Sequence, residues 1–182
     1  MPMPAPLKRY MIVCLAVFVA LFQASAQPKA MGTTFSLSGF SAMYEHSFGE
    51  DCFVDADLKA EMGEVFRNVT DIPGISTSFS CNFIFSKWKS GNGNAVYAFA
   101  GPGISVGIAS DLHKDRGYFF GIKGRVGVEC QFDRRVAISA SLNPILGSHL
   151  IIRDEYLEMA YYRNGLLNAI LPEIGIKYTF GE

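Results

Sequence analysis

The sequence predicts an all-β fold, an antiparallel transmembrane β-barrel of eight strands behind a cleavable signal peptide, and three observations carry that prediction. The N-terminus has the form of an export signal. Long stretches further on alternate apolar and polar residues with a period of two, the repeat of a strand with two different faces. No later stretch stays apolar for the roughly twenty residues a spanning helix needs, and strands that span lipid must close into a barrel so that every backbone group is paired.

Residues 1–26 read as the signal. Lys8 and Arg9 make a basic start, residues 11–22 an apolar run, and Ala24, Ser25 and Ala26 supply the small side chains of a cleavage site. The apolar run is too short to anchor the chain as a helix. Cys14 is not preceded by the small residues of a lipidation site, and the apolar run continues past it. The barrel domain is then 27–182, and with Lys8 and Arg9 gone the formal charge moves from −1 to −3. Charged residues are 18% of the chain and apolar residues 49%, against roughly 25% charged in soluble domains, so few charges remain to cover a surface. No basic stripe is present, which excludes nucleic acid as a partner.

The elements follow in order. Residues 34–46 form a weak strand rich in small side chains. Residues 53–64 set Val54, Ala56, Leu58, Ala60 and Met62 opposite Asp55, Asp57, Lys59 and Glu61. From Ile75, the residues Thr77, Phe79, Cys81, Phe83 and Phe85 oppose serines and Asn82, and residues 94–109 are a weaker strand bent by Pro102 and glycines. The clearest alternation is 118–132, which exceeds the five or six residues usual in soluble sheets. Residues 136–143 and 170–180 complete the set, with turn-rich segments at 49–51, 68–74, 90–94, 111–117 and 133–135 between them.

These are seven strands, whereas single-chain bacterial barrels have an even number. The eighth is expected within 143–168, where 149–162 suits a strand and 153–164 equally suits a short amphipathic helix. Counting from a periplasmic N-terminus puts the 133–135 turn outside the cell, and counting back from a periplasmic C-terminus puts it inside; the sequence leaves both open. The polar faces, mostly serine and glycine with a few charges, suit a tight lumen and not the outer surface of a soluble, lipocalin-like barrel. Tyr44, Trp88, Tyr97, Tyr118, Tyr161, Tyr162 and Tyr178 gather toward strand ends, as in interfacial girdles.

Cys52, Cys81 and Cys130 are odd in number and lack metal-ligand spacing, so they form neither a disulfide framework nor a zinc site. Cys81 and Cys130 read as small hydrophobes on the apolar face. No metal or cofactor is expected.

The signal, the alternating strand, turn and strand of 119–141, and the ending Pro172, Glu173, Ile174, Gly175, Ile176, Lys177, Tyr178, Thr179, Phe180 together resemble the small outer-membrane barrels of the OmpX and OmpA-barrel families, especially those of Bacteroidetes-type bacteria. The resemblance implies an outer-membrane location and contact with outer-membrane lipid and lipopolysaccharide. It also implies recognition of the C-terminal strand by the barrel-assembly machinery, although Gly181 and Glu182 follow the final aromatic.

An eight-stranded barrel is just wide enough inside for side chains to fill it. The polar face supplies Asp55, Asp57, Glu61, Glu129 and Glu173 with Lys59, Lys123, Arg125, Arg135 and Lys177. Near balance allows these to pair as a lumen network that plugs the barrel and fixes its register, which points to a non-enzymatic structural, surface-interaction or assembly-subunit role. The alternatives are a small passive channel and an enzyme modifying lipid A. Some barrels of this size, by resemblance, use a histidine with a serine or an acid near the outer rim. Here the adjacent pairs His46 and Ser47, and Ser148 and His149, point to opposite faces of a strand, and the histidines read as rim or loop residues, so no catalytic residue is assigned. The apolar region 143–168, with Ile151, Ile152, Tyr156, Met159, Tyr161 and Tyr162, is the candidate contact for a protein partner.

Overall fold

A computed structural model describes residues 29–68, 70–89, 94–112, 116–132, 135–152 and 157–180. The signal segment 1–26, Tyr156 and the 91–93 turn lie outside the described residues. Among the described residues ten strands are present: β1 Lys29–Ser36, β2 Gly39–Ser47, β3 Cys52–Glu61, β4 Gly74–Lys89, β5 Ala95–Ser110, β6 Arg116–Gln131, β7 Val136–Leu142, β8 Ile145–Ile152, β9 Leu157–Tyr161 and β10 Glu173–Phe180. Two short helices, α1 Gly63–Phe66 and α2 Arg163–Leu167, interrupt them.

The ten strands make eight staves. β6 pairs with β7 through its C-terminal half and with β8 through its N-terminal half. β7 and β8 are one stave interrupted at Asn143 and Pro144, because proline has no N–H for the ladder; its carbonyl still accepts from the Gly124 N–H at 2.8 Å. β10 pairs with β7 and β9 with β8, so β9 and β10 are two parts of the last stave, separated by α2. β1 joins β10 and closes the sheet, all pairs being antiparallel. Following the ladder from Thr33 through β2 to β5 reaches Phe120 on β6, while the route through β10 and β7 reaches Cys130. That stagger of ten residues tilts the strands, as closure of a small barrel requires.

The eighth stave was therefore hidden in 34–46, which is a hairpin: β1 turns at Leu37 and Ser38 into β2. Residues 143–168 do not supply a separate stave; they extend the seventh and eighth and add α2. Lys29 and Phe180 lie at the same end as the turn 48–51, the end of β4, the start of β5, the end of β6 and the start of β7, and the opposite end carries α1 and the connection 162–172. Short turns face the periplasm in such barrels and long loops the exterior, which puts the end of β6 and the start of β7 on the periplasmic side; residues 133 and 134 between them lie outside the described residues. Gly49 accommodates its tight turn with φ of +78°, a conformation glycine adopts at little cost.

The two faces divide as the period requires. Met31, Phe35, Phe40, Leu58, Ile75, Phe79, Phe83, Ile104, Phe120, Ile122, Val126 and Ile176 are exposed around the outside. Inside are Ser41, Asp55, Ser78, Ser80, Ser105, Lys123, Arg125, Ser139 and Lys177, all buried. An apolar exterior over a polar interior inverts the layout of a soluble domain and matches a wall in hydrocarbon. Among the described residues no helix is long and apolar enough to cross a membrane. Tyr44, Trp88 and Tyr178 sit toward the periplasmic end of the wall, and Tyr118 and Tyr161 toward the outer end. Tyr97 and Tyr162 depart from the expected girdle, since both turn inward, Tyr97 half-buried and Tyr162 2% exposed. The three described cysteines are free, and Cys52 and Cys81 meet across β3 and β4 with their sulfurs 3.9 Å apart.

Ser80 gives a direct check on the inner face. Its hydroxyl is fully buried without a hydrogen-bond partner, and an unmade hydrogen bond in a buried site costs about 1–3 kcal/mol. Ser80→Ala is expected to leave the barrel as stable as the parent or more so, measured by urea unfolding in lipid vesicles; a clear loss would show that the hydroxyl has a partner after all.

Candidate functional site

The lumen is filled in layers, and β3 carries their spine. Asp55, Asp57, Lys59 and Glu61 point inward in succession from the periplasmic to the outer side, because alternate residues of a strand share a face. Lys123 and Arg125 reach them from β6 across the barrel. Arg125 Nη1 lies 2.6 Å from the Asp55 carboxylate and Lys123 Nζ 2.8 Å from that of Asp57. Lys59 Nζ is 3.3 Å from Glu61 and donates to Ser38 Oγ at 2.7 Å, and Ser76 Oγ donates to Glu61 at 2.7 Å.

The central layer is the most closed. Asp55 is 1% exposed, Asn82 0%, Arg125 4% and Phe99 1%. Asn82 donates its amide to Asp55, and the Arg125 guanidinium lies 5.3 Å from the Phe99 ring centre, within cation–π range. Phe99 meets Phe53 edge to face at 5.2 Å. Gly127 makes room for this packing: a Cβ there would fall 2.8 Å from the Phe99 ring.

At the periplasmic side Lys177 is held between two acids, Glu45 at 2.6 Å and Glu129 in closer contact, with its ammonium 5.4 Å from the Phe53 ring centre. Tyr97 donates to Gln131 nearby. A vestibule of about 760 Å³ opens beneath, lined in part by Glu45, Tyr97, Glu129 and Arg135.

The outer end is closed differently. Asp111 accepts the backbone N–H groups of Arg163 and Asn164 at 3.1 and 2.9 Å, which fixes the start of α2 over the mouth. Asn164 then donates to Glu64 at 2.8 Å and to the Ser110 carbonyl at 3.0 Å, and Arg67 pairs with Glu64 at 2.8 Å. Beneath them Tyr162 stacks on Phe119 at 4.3 Å, nearly parallel. Burial pushes the Tyr162 hydroxyl well above the usual tyrosine range, so it stays neutral.

Of the ten charges assigned to the lumen, Asp55, Asp57, Lys59, Glu61, Lys123, Arg125, Glu129 and Lys177 are brought together in ion pairs inside the barrel. Glu173 is half-buried at the start of β10 and acts on Arg125 through space. Arg135 is a correction: it is exposed at the periplasmic rim and donates to the Tyr178 hydroxyl at 3.2 Å. It directly precedes β7, so the turn and not the pleat sets its direction. Glu45 and Asn82 are lumen groups that the sequence did not single out, although Ser41, Met43 and Glu45 do share one strand face.

His149 is also corrected. It is a strand residue 1% exposed, whose Nε2 lies 3.0 Å from the Ala109 carbonyl oxygen. His46, one residue from the end of β2, is buried with neither ring nitrogen hydrogen-bonded. Neither described histidine thus shows a serine or acid as hydrogen-bond partner.

The barrel is similar to solved structures that include the following three. It matches the N-terminal β-barrel domain of OprF from Pseudomonas aeruginosa with a TM-score of 0.52 at 11% identity, over 84% of this chain and 96% of that one. Neisserial surface protein A gives 0.41 at 13%, covering 84% and 94%. Ail, the attachment invasion locus protein of Yersinia pestis, solved in complex with the heparin analogue sucrose octasulfate, gives 0.31 at 13%, also covering 84% and 94%. No family model matches the sequence, and no curated protein does. At such identities the likeness is one of fold. That fold, with its apolar exterior and polar interior, is an eight-stranded transmembrane β-barrel of the bacterial outer membrane.

Proposed function

We propose that the protein is a plugged outer-membrane scaffold, without enzymatic activity, that acts in structure, surface interaction or assembly. One observation carries this reading: the centre of the lumen is occupied by Arg125, Asp55, Asn82 and Phe99, all buried, with Arg125 paired to Asp55 and set against the Phe99 ring, and Asn82 bonded to Asp55. A barrel of this width has no room for both such a layer and a water column. β10 closes the sheet against β1, and as the C-terminal strand it is the segment offered to the barrel-assembly machinery. The outer rim, with α2 and the β8 to β9 hairpin, is the surface offered to partners and lipopolysaccharide.

Cell fractionation and lipid A mass spectrometry test the reading together. The protein is expected in the outer-membrane fraction with heat-modifiable gel migration, and its overexpression should leave lipid A acylation unchanged. Recovery in the soluble periplasm, or a change in lipid A mass that His149→Ala abolishes, would contradict it.

A further inference from the structure

The barrel wall has a notch at its outer end. β1 is zipped to β10 from Lys29 opposite Phe180 to Phe35 opposite Ile174. Beyond that point the last stave is out of the wall for 162–172, and β9, among the described residues, has a ladder partner only in β8. β1 meanwhile turns back at once through Leu37 and Ser38. No ladder bridges β9 and the β1 to β2 hairpin.

A cavity of about 480 Å³ lies beside this notch, walled by Leu37, Phe66, Ile72, Leu167, Ile170 and Leu171. Its volume is within the range of small-molecule sites. Phe66, Ile72 and Ile170 are exposed at 55%, 58% and 72%, an arrangement that is costly in water and natural in hydrocarbon. The cavity adjoins the lipid-facing wall: Gly74 borders both it and an open groove along Phe35, Phe40, Ile75 and Ile174 on the outside of β1, β2, β4 and β10. Glu61 and Glu64 stand among the polar lining, and one carboxylate oxygen of Glu64 is buried without a partner.

We propose that this notch is a lipid site in which one hydrocarbon chain of an outer-leaflet lipid leaves the bilayer and seats between the loop 62–73 and α2. The adjoining apolar groove is the side from which the chain would enter. The one cation among the described lining residues, Arg67, is already paired with Glu64, so a carboxylate or phosphate head entering first would find no free partner in a largely apolar site. The occupant therefore enters tail first and keeps its headgroup at the rim near Tyr161.

The test uses the full mature chain in phosphatidylcholine vesicles. Trp88 is the only tryptophan, so Trp88→Phe with Leu167→Trp places a single fluorescent reporter on the cavity wall. Lipid brominated on the acyl chains should quench most of the reporter emission, and filling the cavity with Thr70→Phe should restore most of it. A reporter on the plain outer wall, Ile176→Trp, should be quenched equally with and without Thr70→Phe. Heat-modifiable migration confirms folding of each variant, and Ser110→Leu serves as a second filler if Thr70→Phe fails to fold. A Leu167→Trp reporter quenched by aqueous acrylamide and not by brominated chains would overturn the proposal and make the cavity a water-filled vestibule. Lipid quenching unchanged by either filler would also overturn it, since the chain would then touch the rim without entering.

Discussion

Arg125→Ala is expected to destabilise the folded barrel by about 3–5 kcal/mol, the usual cost of leaving a buried charge without its partner. Asp55 is 1% exposed and one of its oxygens already lacks a hydrogen bond. Without the guanidinium it would keep only the amide of Asn82, which is neutral and cannot offset the desolvation of a carboxylate. The paired change Asp55→Asn with Arg125→Met removes both charges and should recover much of the loss, because an apolar replacement of a buried ion pair is often close to neutral. Lys87 provides the contrast. It pairs with Asp51 at 2.7 Å, but the two side chains are 42% and 75% exposed, and exposed pairs contribute about 0–1 kcal/mol. Urea unfolding of the reconstituted barrel measures all of these. An Arg125→Ala penalty no larger than that of Lys87→Ala would mean the central pair is solvated and the lumen is not plugged there.

Val126→Arg should cost about 2–4 kcal/mol in lipid, the penalty for a cation facing hydrocarbon near the bilayer midplane. Val126 is one residue from Arg125, yet it is 45% exposed on the outer face while Arg125 is buried in the lumen. The same side chain is thus stabilising at one position and disruptive at the next, which follows from the two-residue period of a strand. The comparison with Ser80→Ala, on the inner face, isolates direction from substitution as such. If Val126→Arg folds into vesicles with unchanged stability, that face does not meet lipid.

The barrel was legible in the sequence where the two faces differ in chemistry. Along 118–132, Ile122, Val126 and Val128 stand against Lys123, Arg125 and Glu129, and the contrast fixes both strand and direction. In 34–46 the contrast is weak: Ser41 and Met43 face in while Ala42 and Tyr44 face out, and the turn uses only Leu37 and Ser38 before Gly39. With no longer turn segment to mark the reversal, two staves read as one and the count fell short. Pro144 obscured the seventh stave in the same way, although residues 137, 139, 141, 143 and 145 keep facing inward through the break. α2 has five residues, too few to show a helical period, so its place over the mouth could only come from Asp111 capping it. The lumen charges were readable as a set because they share a face. Their partners were not, since Lys123 and Asp57 are 66 residues apart and meet only after closure. Tyr97 and Tyr162 look like girdle residues by composition, and only the inward turn of their side chains separates them from Tyr118 and Tyr161.

Planar lipid bilayers test the closed lumen most directly. The purified, refolded protein should insert and show no steady conductance, because the layer of Arg125, Asp55, Asn82 and Phe99 blocks the axis above the periplasmic vestibule. A stable unit conductance from the parent protein, altered in ion selectivity by Arg125→Ala or Lys177→Ala, would contradict the account and make the barrel a channel lined by these cations.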